Sequence, residues 1–400
     1  MRVFNKDFTQ QEPIPEAGIE KALEVLRSGR LHRYNLLPGE KGLVCELEEK
    51  FAAYMGVKYC LACASCGSAL FLALKSVGVR PGDKVLCNAY TLAPVPGAIE
   101  HCGARSVLVD IRDDYTIDTE DLEAKARESG ARFLLLSHMR GHIANMEKVM
   151  EVCRRHDLVL VEDCAHTMGA SWDGRKSGTF GKAACYSTQT YKHMNSGEGG
   201  LLVTDDADVM ARAIIYSGSY MIYGTHTSRP PLEAFEEVKW ITPNFSLRMD
   251  HLRAALLLPQ LERLDRQCER WNELYDHTER QLREIPGVSC PPRDSREHYV
   301  GSSIQFNIDG ASPETIKKFL EGAAARGVQI KWFGNELPVG FTSSYESWRY
   351  IPDLPDLPNT KKVLATMCDM RLPLTFTRED CDAIVAIIRE VLSEVRKSGA

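Results

Sequence analysis

Residues 158–206 read "LVLVEDCAHTMGASWDGRKSGTFGKAACYSTQTYKHMNSGEGGLLVTDD". The stretch holds three short apolar runs, "LVLVED", "AACYST" and "GGLLVTD", each bounded by Gly, Asp or Ser, as buried strands are. The first run ends in Glu162 and Asp163, with His166 just beyond. Between the second and third lies "YSTQTYKHMNSGEGG", where one lysine, Lys192, sits among hydroxyls and an amide ahead of a glycine-rich turn. A solvated loop lysine is the plain reading, and the rest of the chain has to say otherwise.

The same rhythm extends upstream. "KVLCN", "RSVLVDI" and "RFLLLSH" are further strand-like runs. "TEDLEAKARES" and "NMEKVMEVCRRH" between them space their apolar residues as helices do, as "GIEKALEVLRS", "LVCELEEKFAAYMG" and "GSALFLALKSVG" do nearer the N-terminus. Strands alternating with helices predict an α/β fold with a mostly parallel sheet covered on both faces. Beyond Arg248 the character changes. A long helical connection over 249–285, with Pro259 as its candidate break, leads to "SSIQFNI", "PETIKKFLEGAAARG", "VQIKWF" and a terminal helix, which predict a small α+β domain. The expected division is 1–250 and 251–400. Loops at Arg229–Pro231 and Leu337–Gly340 are candidate site rims.

Composition narrows the function classes. In 400 residues, 44% are hydrophobic and 26% charged, as in globular proteins, and a net charge of −6 offers no footprint for nucleic acid. The N-terminal stretch lacks the apolar core of a signal peptide, and no run reaches membrane-spanning length. A cytoplasmic protein is expected, without membrane or nucleic-acid partners. The 13 cysteines are irregularly spaced, which fits reduced thiols better than a disulfide framework. Cys164/His166 and Cys153/His156 lack a zinc-type spacing, so no metal is expected.

Ligands of such sheets sit at the carboxyl ends of the strands, where helix N-termini bind anions. "ASCGSALFLAL" turns through Ser65-Cys66-Gly67-Ser68 into a helix and offers N–H groups and hydroxyls to a phosphate. Asp163 emerges from an apolar strand and calls for a positive partner. Pyridoxal phosphate accounts for these two features and for Lys192 together. It needs a lysine for its aldehyde, a carboxylate to keep its ring nitrogen protonated and an anion cradle for its phosphate. Crowding in a dry site lowers a lysine's pKa and makes it a nucleophile and proton carrier.

The block from Val161 to Asp206 closely resembles the core of the DegT/StrS (DegT/DnrJ/EryC/StrS) family of sugar aminotransferases. The likeness runs from "LEEKFAAYMGVKYCLACASCGSALFLAL" through "RMDHLRAALLLPQLERLD" to "RLPLTFTREDCDAI". It implies a fold-type I pyridoxal-phosphate transferase with a seven-stranded sheet, working as a homodimer whose site is shared between subunits. By the resemblance, Lys192 matches the lysine that takes the cofactor's aldehyde and Asp163 the partner of its ring nitrogen. His166 falls beside the phenolic oxygen, and Ser187 and Gly67-Ser68 match phosphate contacts. The family's ring-stacking aromatic is replaced by Leu92 in "AYTLAPVPGAI", so either Leu92 or Tyr90 covers the ring. Ser246 stands where an asparagine usually reaches the neighbouring subunit's phosphate; it bonds that phosphate or leaves it to water. "HMRGH" at 138–142 replaces "HLYG" and brings Arg140 and His142 towards the predicted substrate side, as substrate contacts or as bracing groups.

The implied activity is amino transfer from glutamate or glutamine to a keto-sugar, cyclitol or related intermediate. The alternative is elimination, cyclisation or epimerisation with the same cofactor, for which a carboxylate-binding Arg140 speaks. A non-catalytic sensor is disfavoured by the retained Lys192 and Asp163.

Overall fold

The computed structural model describes residues 2–398. Seven strands form the main sheet: β1 (Tyr59–Cys63), β2 (Lys84–Asn88), β3 (Arg105–Val109), β4 (Phe133–Ser137), β5 (Val159–Asp163), β6 (Ala183–Ser187) and β7 (Gly200–Thr204). Their order is β1-β7-β6-β5-β4-β2-β3. Strands β2 to β6 run parallel, while β7 is antiparallel to both its neighbours.

Both faces of this sheet are buried, which explains the continuous apolar runs. Leu134 and Leu136 point into one core with Leu47, Phe51 and Met146, whereas Phe133 and Leu135 point into the other with Leu72, Ile99 and Met210. Helices Leu43–Met55, Thr119–Ser129 and Met146–Arg155 cover the first face. Cys66–Ser76, Pro94–His101 and Ala207–Ile214 cover the second. Side-chain caps start several of them: Asp118 accepts from Glu120 N–H at 2.9 Å, and Asn145 from Lys148 N–H at 3.2 Å.

Helix Thr119–Ser129 and strand β2 coincide with their sequence patterns, and the other helix and strand ends agree to within a few residues. Strand β1 escaped the pattern because "YCLAC" is short and follows the preceding helix after only the Gly56 cap and two residues. The helical connection does break, but not at Pro259. That residue lies inside helix His251–Leu261, its ring against Gly18, and the chain turns at Glu262–Arg263 before helix Leu264–Arg283.

The second sheet is antiparallel: β8 (Val288–Ser289), β9 (Ser303–Ile308), β10 (Lys331–Trp332) and β11 (Met367–Arg371) in the order β8-β9-β11-β10. Helices Pro313–Ala324 and Arg378–Ser398 pack with it. "VQIKWF" yields only two strand residues, and β11 was not foreseen because Asp369 interrupts its apolar pattern. The division at residues 250 and 251 is our proposal for the domain organisation. The second sheet lies wholly after it, while Phe4 and Phe8 from the other end of the chain pack edge-on against Phe376.

Glu162, buried at the end of β5, explains its own cost. Its carboxylate accepts from the N–H groups of Gly178 (3.0 Å), Phe180 (2.8 Å) and Gly181 (2.8 Å) and lies 3.2 Å from His138 Nε2. It clamps the loop that feeds β6. Glu162→Ala leaves three inward N–H groups without their acceptor, and a loss of about 3–5 kcal/mol in urea denaturation is expected. A loss below about 1 kcal/mol would show that the loop relaxes to solvent.

Candidate active site

The carboxyl ends of β2, β4, β5 and β6 face the second sheet across a cavity of about 510 Å³. Lys192 reaches this cavity from the loop between β6 and β7. Pairs at the base of that loop, Thr188 N–H to Gly199 O and Thr190 N–H to Gly197 O, each 3.0 Å, make it a tight closure rather than a free excursion. Gly200 explains the glycines. A side chain there would collide with the Ser65 carbonyl and the Cys66 nitrogen, so a bare backbone lets the turn pack on the entry to helix Cys66–Ser76. The lysine loop and the prospective anion cradle are thereby in contact.

Lys192 Nζ lies 2.9 Å from His166 Nε2. Burial, with Arg140 adding to it, lowers the lysine from its ordinary 10.5 to about 7, against the opposing pull of Asp163. His166 is held well below its usual value by burial and by Lys192, and so is a neutral ring. Asp163 is pushed up by burial but opposed by Ser137, whose hydroxyl donates to Oδ2 at 2.7 Å, and by the Ala165 N–H at 3.1 Å. Thr91 in turn donates to Ser137 Oγ at 2.7 Å. This hydroxyl relay aims the carboxylate and favours its charged form. Neither Ser137 nor Thr91 stood out in the sequence, because only the β4–β5 pairing places Ser137 beside Asp163.

Ser65, Cys66, Gly67 and Ser187 also line the cavity. Ser65 Oγ caps the helix by accepting from Ser68 N–H at 3.0 Å and pairs with Ser68 Oγ at 2.9 Å. No atom other than Ser65 Oγ, at 3.8 Å, would meet a side chain built on Gly67. Open space in front of a helix N-terminus suits a phosphate.

The alternatives at the ring and substrate sides separate. Leu92 lines the cavity. Tyr90 does not: its ring is buried against Phe333 (5.2 Å) and Tyr115 (6.1 Å), because Asn88 Nδ2 holds the Tyr90 carbonyl at 2.8 Å and turns the chain there. Arg140 lines the cavity at φ +55°, an unusual backbone for a non-glycine residue, with Nη2 2.7 Å from Asp369 Oδ2. His142 does not line it. Its Nε2 is 2.8 Å from Gln305 Oε1, and it borders a separate small polar cavity. Ser246 is exposed on the outside of its own chain at φ +54°. Phe341, from the rim loop at 337–341, and Arg371, from the end of β11, complete the wall.

With this geometry the chain can be compared with known proteins. A model of the DegT/DnrJ/EryC1/StrS aminotransferase family matches residues 14–389. The chain belongs to this family. Its members are pyridoxal-phosphate-dependent aminotransferases, and this chain is an enzyme of that class. It is similar to the L-glutamine:scyllo-inosose aminotransferase of Streptomyces griseus, 30% identical over 413 residues that cover 99% of this chain and 97% of that one. The spore coat polysaccharide biosynthesis protein SpsC of Bacillus subtilis is 27% identical over 378 residues, 94% of each chain. Among solved structures, that of 3-amino-5-hydroxybenzoic acid synthase superposes with a TM-score of 0.83 at 24% identity, covering 98% of this chain and 99% of the other, which supports the fold.

All thirteen cysteines are unpaired, and no helix among the described residues is long and apolar enough to cross a membrane. The side chains of Cys45, Glu48 and His226 converge as metal ligands do, but the Arg33 guanidinium already lies 2.9 Å from Glu48 Oε2.

Proposed function

We propose that this chain binds pyridoxal 5'-phosphate through Lys192 and transfers an amino group from glutamine or glutamate to a keto-sugar or cyclitol. The observation that carries it is the 2.9 Å approach of Lys192 to His166 in one buried cavity with Asp163 and the serine-lined helix start. Pyridoxal phosphate, when bound, supplies the electron sink for a carbanion at the substrate carbon.

The chain's own groups do the rest. Lys192 Nζ would hold the cofactor by its aldehyde and would carry a proton to and from the reacting carbon. Asp163 holds the proton on the ring nitrogen. His166, 2.9 Å from the lysine, would face the phenolic oxygen. The N-terminus of helix Cys66–Ser76, with Ser68 and Ser187, would hold the phosphate, while Leu92 would cover the ring. Ser246 faces a second subunit, for which the exposed Met221, Trp240 and Ile241 of the preceding segment offer apolar surface in a homodimer. A cytoplasmic location fits these soluble parts. Elimination, cyclisation or epimerisation has no observation of its own in its favour.

Adding glutamine to the cofactor-loaded protein should convert its absorbance to that of the amino form, and a keto-cyclitol should restore it. A loaded protein that responds to no amino donor would retire the proposal.

The lysine's depressed value gives a pH signature. The nucleophile is the neutral amine, so cofactor capture by the apoenzyme should rise with pH through about 7 and then level off. An ordinary lysine at 10.5 would still be rising far above that. Stopped-flow absorbance reads this directly. Ser137→Ala, which removes the donor on Asp163, should lower turnover by roughly tenfold, with Ser137→Thr recovering much of it.

A further inference from the structure

The second-sheet side of the cavity is short of negative charge. Arg371 lines it, stacked over the Tyr191 ring at 3.6 Å and 5.6 Å from the Phe341 centroid. Arg140 lines it beside Arg371. Lys331 stands behind, 5.0 Å from the Phe341 centroid, with its Nζ buried and without a hydrogen-bond partner. Arg140 has Asp369 at ion-pair distance, although neither its Nε nor its Nη2 makes a hydrogen bond. Among the described residues, neither Arg371 nor Lys331 has a carboxylate within ion-pair distance. Asp369 serves a second master as well, since its Oδ1 accepts from Gln305 Nε2 at 2.8 Å. Three cations thus share one carboxylate in a half-buried wall.

Each makes the others harder to charge. Burial and Arg371 lower Lys331 to about 8, and burial and Arg140 lower Arg371. Such an arrangement is unfavourable unless an anion completes it. The cofactor's phosphate has a separate proposed cradle, made of other lining residues, Ser65, Gly67 and Ser187.

We infer that Arg371 and Arg140, backed by Lys331, form an anion subsite, and that the acceptor is a ring ketone carrying a carboxylate or phosphate. Arg371 is the principal contact, because its guanidinium faces the cavity with no acidic partner and is held flat by Tyr191. A guanidinium fork matches either anion with paired hydrogen bonds. Arg140, beside Asp369, supplies a second donor whose Nε and Nη2 are free to bond. Lys331 does not touch the ligand but raises the local positive potential. This reading rests on the proposed aminotransferase function and names the acceptor class for it.

The test uses the cofactor-loaded protein. First, glutamine and then glutamate are added without acceptor: absorbance that changes with neither retires the aminotransferase reading itself, before any acceptor is in play. Next, 3-oxocyclohexane carboxylate, its carboxamide and the matching ring phosphate are compared as acceptors. Binding of non-reacting cyclohexane carboxylate and its carboxamide is measured by calorimetry. The wild type should favour an anionic acceptor over the amide by about 10- to 100-fold in kcat/KM. Arg371→Gln should collapse that ratio towards one, Arg371→Lys should restore part of it, and Lys331→Met should reduce it less. Preference for the phosphate over the carboxylate identifies which anion is bound and keeps the subsite. Equal use of acid and amide by the wild type would overturn the inference. If, in addition, the glutamine half-reaction is what Arg371→Gln impairs, the cluster binds the donor's carboxylate instead.

Discussion

Lys192→Ala should lower amino transfer by about 10⁴-fold or more, since proton transfer by a positioned side chain alone contributes about 10²–10⁴-fold. The loss has two sources. The variant has no amine to take the cofactor's aldehyde, and it has no base at the reacting carbon. His166, 2.9 Å away, cannot replace it, because a neutral imidazole forms no such bond and its position is set by the strand end, not by the substrate. The fold should survive. The lysine is a buried cation with a depressed pKa, so its removal takes away a burial cost and leaves the loop closed by the Thr188–Gly199 and Thr190–Gly197 pairs. Rapid-quench measurement of product, with the melting temperature alongside, checks both halves. Turnover within tenfold of wild type would mean that another group carries the proton.

Asp163→Asn should cost roughly 10²–10³-fold in kcat, the range for removing one preorganised electrostatic contact, with little change in the fold. Asn keeps the shape and can still accept from Ser137 through its carbonyl, but it has no charge to hold a proton on a ring nitrogen. The carboxylate is buried, and the Ser137 hydroxyl and the Ala165 N–H both stabilise its ionised form. The environment is built for a charge, which is why an isosteric neutral residue is the informative replacement. Absorbance of the bound cofactor should also shift, giving a readout besides turnover. Unchanged kcat in a fully loaded Asn variant would remove Asp163 from the mechanism.

The sequence was most informative where one physical rule acted alone. Strands β2 to β7 were legible because both their faces are buried, which leaves an apolar run between polar breaks. Lys192 and Asp163 were legible as chemistry because each is expensive in such a place without a partner. What pairing decides was not legible. Ser137 reads as a polar end to "RFLLLS" until β4 and β5 align it with Asp163. Arg371 belongs to a strand whose pattern is interrupted by Asp369, and only its pairing with β9 brings it to the cavity. Tyr90 and Leu92, two residues apart, could not be told apart by spacing. A hydrogen bond from Asn88 to the Tyr90 carbonyl sends the tyrosine into the core and leaves the leucine at the cavity. His142 was drawn to the site by its nearness to Arg140 in the chain, but the left-handed turn at Arg140 and Gly141 points it behind the wall to Gln305.

One covalent measurement asks directly whether Lys192 holds the cofactor. The protein is incubated with pyridoxal phosphate, reduced with borohydride and digested, and the modified peptide is sequenced by mass spectrometry. The predicted result is a single pyridoxyl group on Lys192, lost in Lys192→Ala. Lys331 is the instructive competitor, since it too is buried and lowered, to about 8. A label on Lys331, or on any lysine other than Lys192, would contradict the account.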